Sequence, residues 1–146
     1  MPVGVMERAL AERVPEPIVA WWHGQSLESR YSVTAHGGGA GQAGGAAILR
    51  RQYKKARRDD AVSMPRWTVV AVTAERIYFF SQPIEAEAVA VLERASARSS
   101  VSGRGMWRRL IIVSEGAPPR SYTVFFAALG TRRRLNQLWR ALGVET

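Results

Sequence analysis

The stretch WTVVAVTAERIYFF, Trp67 to Phe80, decides the fold. Two apolar runs flank the short segment Thr73-Ala74-Glu75-Arg76, and the second run ends in Tyr78, Phe79 and Phe80. Runs of five to seven residues rich in valine, isoleucine and aromatics, separated by a tight turn, predict an antiparallel β-hairpin. Successive strand residues point to opposite faces. Tyr78 and Phe80 therefore share one face and Ile77 and Phe79 the other, so three aromatics cannot meet one ligand. The expectation is a hairpin with one face in a core and the other partly covered, and with Arg76 leaving the turn towards solvent or an acidic neighbour.

Downstream of the hairpin the chain continues as short strands: Val89–Leu92, a weaker one over Ala97–Val101, Trp107–Val113 and Ser121–Phe126. SGRG at 102–105 and SEGAPP at 114–119 turn the chain between them, and such short connections imply antiparallel pairing. The ending is helical. Leu135, Leu138, Trp139 and Leu142 follow i, i+3, i+4, i+7 spacing, Thr131 stands at the N-cap and Gly143 at the C-terminal cap. Trp67, Tyr78, Phe80, Trp107, Tyr122, Phe126 and Trp139 all recur at strand or helix spacing, which favours a core over a base-stacking platform.

Upstream the patterning changes. Residues 46–60 read as a helix with Ile48, Leu49, Gln52, Tyr53 and Ala56 on one arc; Arg50, Arg51, Lys54, Lys55, Arg57 and Arg58 fill the other. Residues 36–45, HGGGAGQAGG, form a glycine-rich loop. Tyr31-Ser32-Val33 is strand-like, as is part of the segment from Ile18 onward, where Trp21 and Trp22 must face opposite ways; which of the two is exposed stays open. At the start, residues 1–14 place Val3, Met6, Leu10 and Val14 on one helical face, and Pro15 and Pro17 stop that helix.

The chain has 146 residues, no cysteine and a formal net charge of +9. That length suits one domain, 1–146, with 63–146 its best-defined core. Absence of cysteine removes disulfides, thiolate nucleophiles and cysteine-ligated zinc. No apolar run approaches the ~20 residues of a membrane span, and Glu7, Glu12 and Glu16 are foreign to a signal peptide. The expected location is cytoplasmic, with peripheral membrane association compatible with the charge. A pI near 11.2 favours polyanionic partners.

The element order and the hairpin resemble the bacterial pleckstrin-homology-like and GRAM-like domains. Thr73, Arg76, Tyr78 and Phe80 match the signature hairpin of that group. Met64-Pro65 and the glycine-rich stretch before it are similar to a set of actinobacterial proteins of the same type. The resemblance spans about Ser63 to Gly143. It implies an α+β fold of bent antiparallel sheets, about seven strands, closed off by a C-terminal helix. It implies no activity, since this superfold hosts lipid, peptide and protein binders alike.

Candidate chemistries are weak. Gly39-Ala40-Gly41-Gln42-Ala43-Gly44 spells G-x-G-x-x-G, but Asp59 and Asp60 precede the next strand, where they cannot meet a ribose, and no further βαβ units follow. Lys54 is not in a P-loop, and no G-x-S-x-G occurs. His23 and His36, the only histidines, lack metal-binding spacing. Glu85, Glu87 and Glu93 read as solvated rather than as paired acid and base. No enzyme, cofactor or metal is expected. The best candidates are anion-binding cations: Arg50, Arg51, Lys54, Lys55, Arg57 and Arg58 on the basic helix, with Arg132 and Arg133 in the first turn of the last helix. There an anion would offset their conflict with the helix dipole; alternatively they point into water. The expected function is a non-enzymatic binding or adaptor domain for a membrane surface or an acidic protein. A nucleic-acid binder is the first alternative. A protein-interaction module using a sheet edge or Trp21/Trp22 is the second, and homodimerisation through these surfaces stays open.

Overall fold

A computed structural model describes residues 2–26, 61–116 and 119–144. The strand-like Tyr31–Val33, the glycine-rich loop 36–45 and the basic helix 46–60 lie outside the described residues. The elements run α1 (Val3–Arg13), β1 (Ile18–Ser26), β2 (Trp67–Thr73), β3 (Arg76–Ser81), β4 (Ala90–Glu93), β5 (Ala97–Ser102), β6 (Trp107–Ser114), β7 (Arg120–Ala127) and α2 (Arg132–Leu142). The seven strands form one open sheet in the order β4-β3-β2-β1-β7-β6-β5. Two meanders, β1 to β4 and β5 to β7, meet where β1 pairs with β7, and every strand pairing is antiparallel. The architecture is α+β with a C-terminal helix, as the element order predicts.

The meanders meet at a seam where, among the described residues, Gln25↔Phe125 and Ser26↔Val124 pair. Gly24 makes the approach possible: a Cβ there would stand 2.3 Å from the Phe125 carbonyl oxygen. Beyond Ser26, Ala61 takes up a parallel bridge to Ser121, with the Val62 N–H donating to the Ser121 carbonyl at 2.8 Å.

The hairpin forms as its residues require. Thr73 Oγ1 accepts the Arg76 N–H at 3.0 Å, and Val70↔Phe79 and Ala71↔Tyr78 set the register. On the inner face Val70, Val72, Ile77 and Phe79 join Leu110, Ile112, Val124 and Phe126, and the apolar stripe of α2 closes this core through Leu135, Leu138 and Trp139. On the other face Val69, Ala71, Tyr78 and Phe80 are buried with Trp21 and Ile84 under Met6, Leu10 and Val14 of α1 and its end. The expected partial cover of the second face is thus a complete second core. An N-terminal helix lying across β1 to β3 explains why β2 reads as an unbroken apolar run instead of an alternating one.

Several local expectations change. Trp67, expected in the core, is 41% exposed. As the first residue of β2 it stands just past the cluster that α1 covers. Trp107, first in β6, is half-buried, on the face of β6 opposite Leu110 and Ile112. Thr131 is the N-cap by position, but its hydroxyl donates backward to the Ala127 carbonyl, so it caps no N–H of α2. The other end behaves as expected. Gly143 adopts φ +72°, the Val144 N–H donates to Trp139 O at 2.9 Å and the Gly143 N–H to Arg140 O at 3.1 Å, completing a Schellman motif. Arg94 ties this end to the hairpin, donating to the carbonyls of Thr73 and Ala141.

Candidate functional site

Of the eight cations expected to bind anions, Arg50, Arg51, Lys54, Lys55, Arg57 and Arg58 lie outside the described residues, and Arg132 and Arg133 are exposed on the first turn of α2. At 3.6 residues per turn, three consecutive arginines must fan around the helix. Arg132 lines a recess of about 350 Å³ with Arg108, Asn136, Leu135, Trp139 and Ala128. Arg133 does not line it. Arg134 goes the other way: its guanidinium lies over the rings of Trp22 and Trp21, 5.5 and 5.7 Å from their centroids, with Glu7 of α1 3.9 Å away. The arginine triplet therefore serves two places. Two of its members stay with the surface, and one locks α2 to β1 and α1.

Arg108 is the member of the recess that composition alone hides. It shares strand parity with the inward-facing Leu110 and Ile112, and it pairs with Phe126 at the strand end, where α2 leaves a gap. Its Nη1 donates to the carbonyls of Gly105 at 3.0 Å and Trp107 at 3.1 Å, so the guanidinium is held by its own turn. A cation in an inward register position is the signal that would have marked it.

On the opposite side of α2, a cleft of about 530 Å³ opens between α1, the Pro15–Pro17 linker and β1, with Glu7, Glu16, Trp21, Arg134 and Gln137 in its wall. Glu16 is fully engaged there. Its Oε2 accepts the Tyr78 hydroxyl at 2.6 Å and its Oε1 accepts Arg76 Nη1 at 2.7 Å, while Arg76 Nε reaches Glu93 at 3.0 Å. The Tyr78 hydrogen bond, aided by Arg76, holds the Glu16 carboxyl below its usual range. The hydrogen bond to Glu93 and those on its other side push the Arg76 guanidinium up. Burial, then the bond to Glu16, raises the Tyr78 phenol. A carboxylate with both oxygens occupied and a phenol kept protonated make a clasp, which fastens the linker after α1 to the hairpin. Arg76 thus meets acidic neighbours, one of the two outcomes expected for it.

The remaining candidates scatter. Burial holds His23 below its usual value, and its ring packs 4.6 Å from that of Trp22; His36 lies outside the described residues. Glu93 is paired with Arg76, whereas Glu85 and Glu87 are exposed. Among the described residues no group of three histidines or acids could hold a metal, and no helix is long and apolar enough to cross a membrane. Strand alternation would set Trp21 and Trp22 on opposite sides, yet their rings lie together, 5.7 Å apart and sharing Arg134, and neither stands free: Trp21 is buried in the cluster under α1 and Trp22 is half-buried, packed against both cores. A partner surface built on an exposed tryptophan of this pair is therefore corrected.

Charge is divided along the sheet. From Arg94 to Arg140 the chain carries ten arginines and a single acid, Glu115; the described residues up to Glu93 carry four arginines and seven glutamates. Set against known proteins, the chain matches no family model, no curated protein and no solved structure.

Proposed function

We propose that this chain is a non-enzymatic binding domain of the pleckstrin-homology-like kind that recognises an anionic surface, a phospholipid membrane first and an acidic protein second. The observation that carries the reading is the division of charge among the described residues: those of β5 to β7 and α2 are arginine-rich, and those of α1 and β1 to β4 are acidic. A molecule so polarised turns its basic half to a negative surface and its acidic half away from it. Two antiparallel meanders joined at one seam, with a helix across the opening, support the pleckstrin-homology-like assignment. The cations Arg50, Arg51, Lys54, Lys55, Arg57 and Arg58, outside the described residues, add positive charge for an anionic surface.

Vesicle flotation at low salt, with and without anionic lipid, tests it. Binding that requires the anionic lipid is expected, and replacing Arg50, Arg51, Lys54 and Lys55 by glutamine should weaken it by about 1 kcal/mol for each side chain at the surface. Equal binding to neutral vesicles, or none to either, would overturn the membrane reading. Retention of DNA or RNA with a steep salt dependence would put nucleic acid in its place.

A further inference from the structure

We infer that the end of the molecule formed by the β5–β6 turn and the β7–α2 loop is a membrane-insertion tip, with Met106 and Leu129 entering an anionic bilayer and Arg104, Arg108, Arg132 and Arg133 resting on its phosphates. The inference rests on the anionic-surface reading and adds to it an insertion edge and an orientation. Leu129 and Met106 are the two most exposed large apolar residues among those described, at 79% and 63%. Isolated exposed apolar side chains are ordinary, but these two occupy one place. Trp107 pairs with Ala127, and one step further the Ala128 N–H donates to the Met106 carbonyl at 2.7 Å, joining the two connections. Gly105 and Gly130, each at φ +74°, turn the chain beside them.

The surroundings are cationic. Arg104 precedes Met106 in its turn, Arg132 and Arg133 follow Leu129 into α2, and Arg108 is held in place by the Gly105 and Trp107 carbonyls. Glu115, the one acid between Arg94 and Arg140, lies past the opposite end of β6. An apolar point ringed by arginine suits the boundary between acyl chains and headgroups, where long arginine stems lie along apolar surface and the guanidinium reaches phosphate. A nucleic-acid backbone would engage the arginines and leave Leu129 and Met106 in water. An unpaired leucine at a turn tip is what favours lipid.

Because the chain has no cysteine, single reporters can be placed without background. Leu129→Cys, Met106→Cys and, on α1, Val5→Cys are each labelled with an environment-sensitive fluorophore and mixed with vesicles of equal parts phosphatidylcholine and phosphatidylglycerol. Labels at 129 and 106 should shift to the blue and be quenched by brominated acyl chains, while the label at 5 stays unchanged. Leu129→Ser should lower partitioning about tenfold without altering its salt dependence. Arg132→Gln and Arg133→Gln should each lower it about fivefold and flatten that dependence. Vesicle binding with unchanged emission at both tip positions would overturn the insertion tip and leave the anionic-surface reading standing. No vesicle binding would overturn both.

Discussion

Gly24 shows how one missing side chain can hold the molecule together. Among the described residues the two meanders meet at Gln25↔Phe125 and Ser26↔Val124, and they come together there because nothing projects from Gly24 towards β7. Gly24→Ala should therefore cost about 1–3 kcal/mol, the usual range for overpacking, in chemical denaturation. Glu16 makes the complementary point with charge. Its carboxyl is held below the ordinary value near 4.5, chiefly by the Tyr78 hydroxyl. A depressed carboxylate contributes stability that is fully present above its unfolded pKa and is lost as pH falls through the folded one. In Tyr78→Phe the folded value moves back towards the unfolded value. The stability difference between the wild type and this variant should then be present at neutral pH and shrink in acid, as followed by denaturation at a series of pH values. A difference that stays constant with pH would mean that the clasp acts through packing alone.

At the scale of elements, α1 changes the character of the sheet. It turns what would be a half-solvated hairpin into one buried on both faces, through Met6 and Leu10 above Val69, Ala71, Tyr78 and Phe80. Leu10 is wholly buried, and Leu10→Ala should cost about 2–5 kcal/mol. The same substitution should expose the Tyr78 face to a hydrophobic dye. The hairpin, the later strands and α2 were legible because strand alternation, turn residues and a helical stripe agree over each of those segments. The helix over 3–14 was legible too, but not its place, since Met6 and Leu10 record that the helix buries a face without recording against what. Trp67 was misread because strand parity gives the face of a residue and not the reach of the helix covering it. Thr131 occupies the right position, yet its hydroxyl turns to Ala127, a choice of rotamer that no sequence pattern encodes. For the site, Arg132 and Arg133 could be named from sequence. Their separation from Arg134, and the meeting of Arg132 with Arg108, follow from helix phase and from a strand end 24 residues upstream.

For the whole molecule, the arrangement of charge matters more than its total. A net charge of +9 spread evenly would attract any polyanion without orientation, whereas among the described residues the acids gather on the side of α1 and the arginines beside α2, which gives that part of the domain a direction. Among the described residues of the basic half, Arg98 pairs with Glu115, and Arg134 leans on Glu7 of the other half. Among the described residues, β4 and β5 are the two outer strands of the open sheet. The central claim is recognition of an anionic surface, and its most direct test is the partition coefficient of the full chain on vesicles as the anionic lipid fraction rises at fixed low salt. A steep rise with anionic fraction, collapsing as salt is added, is the predicted result; a coefficient that does not change with anionic fraction would contradict it.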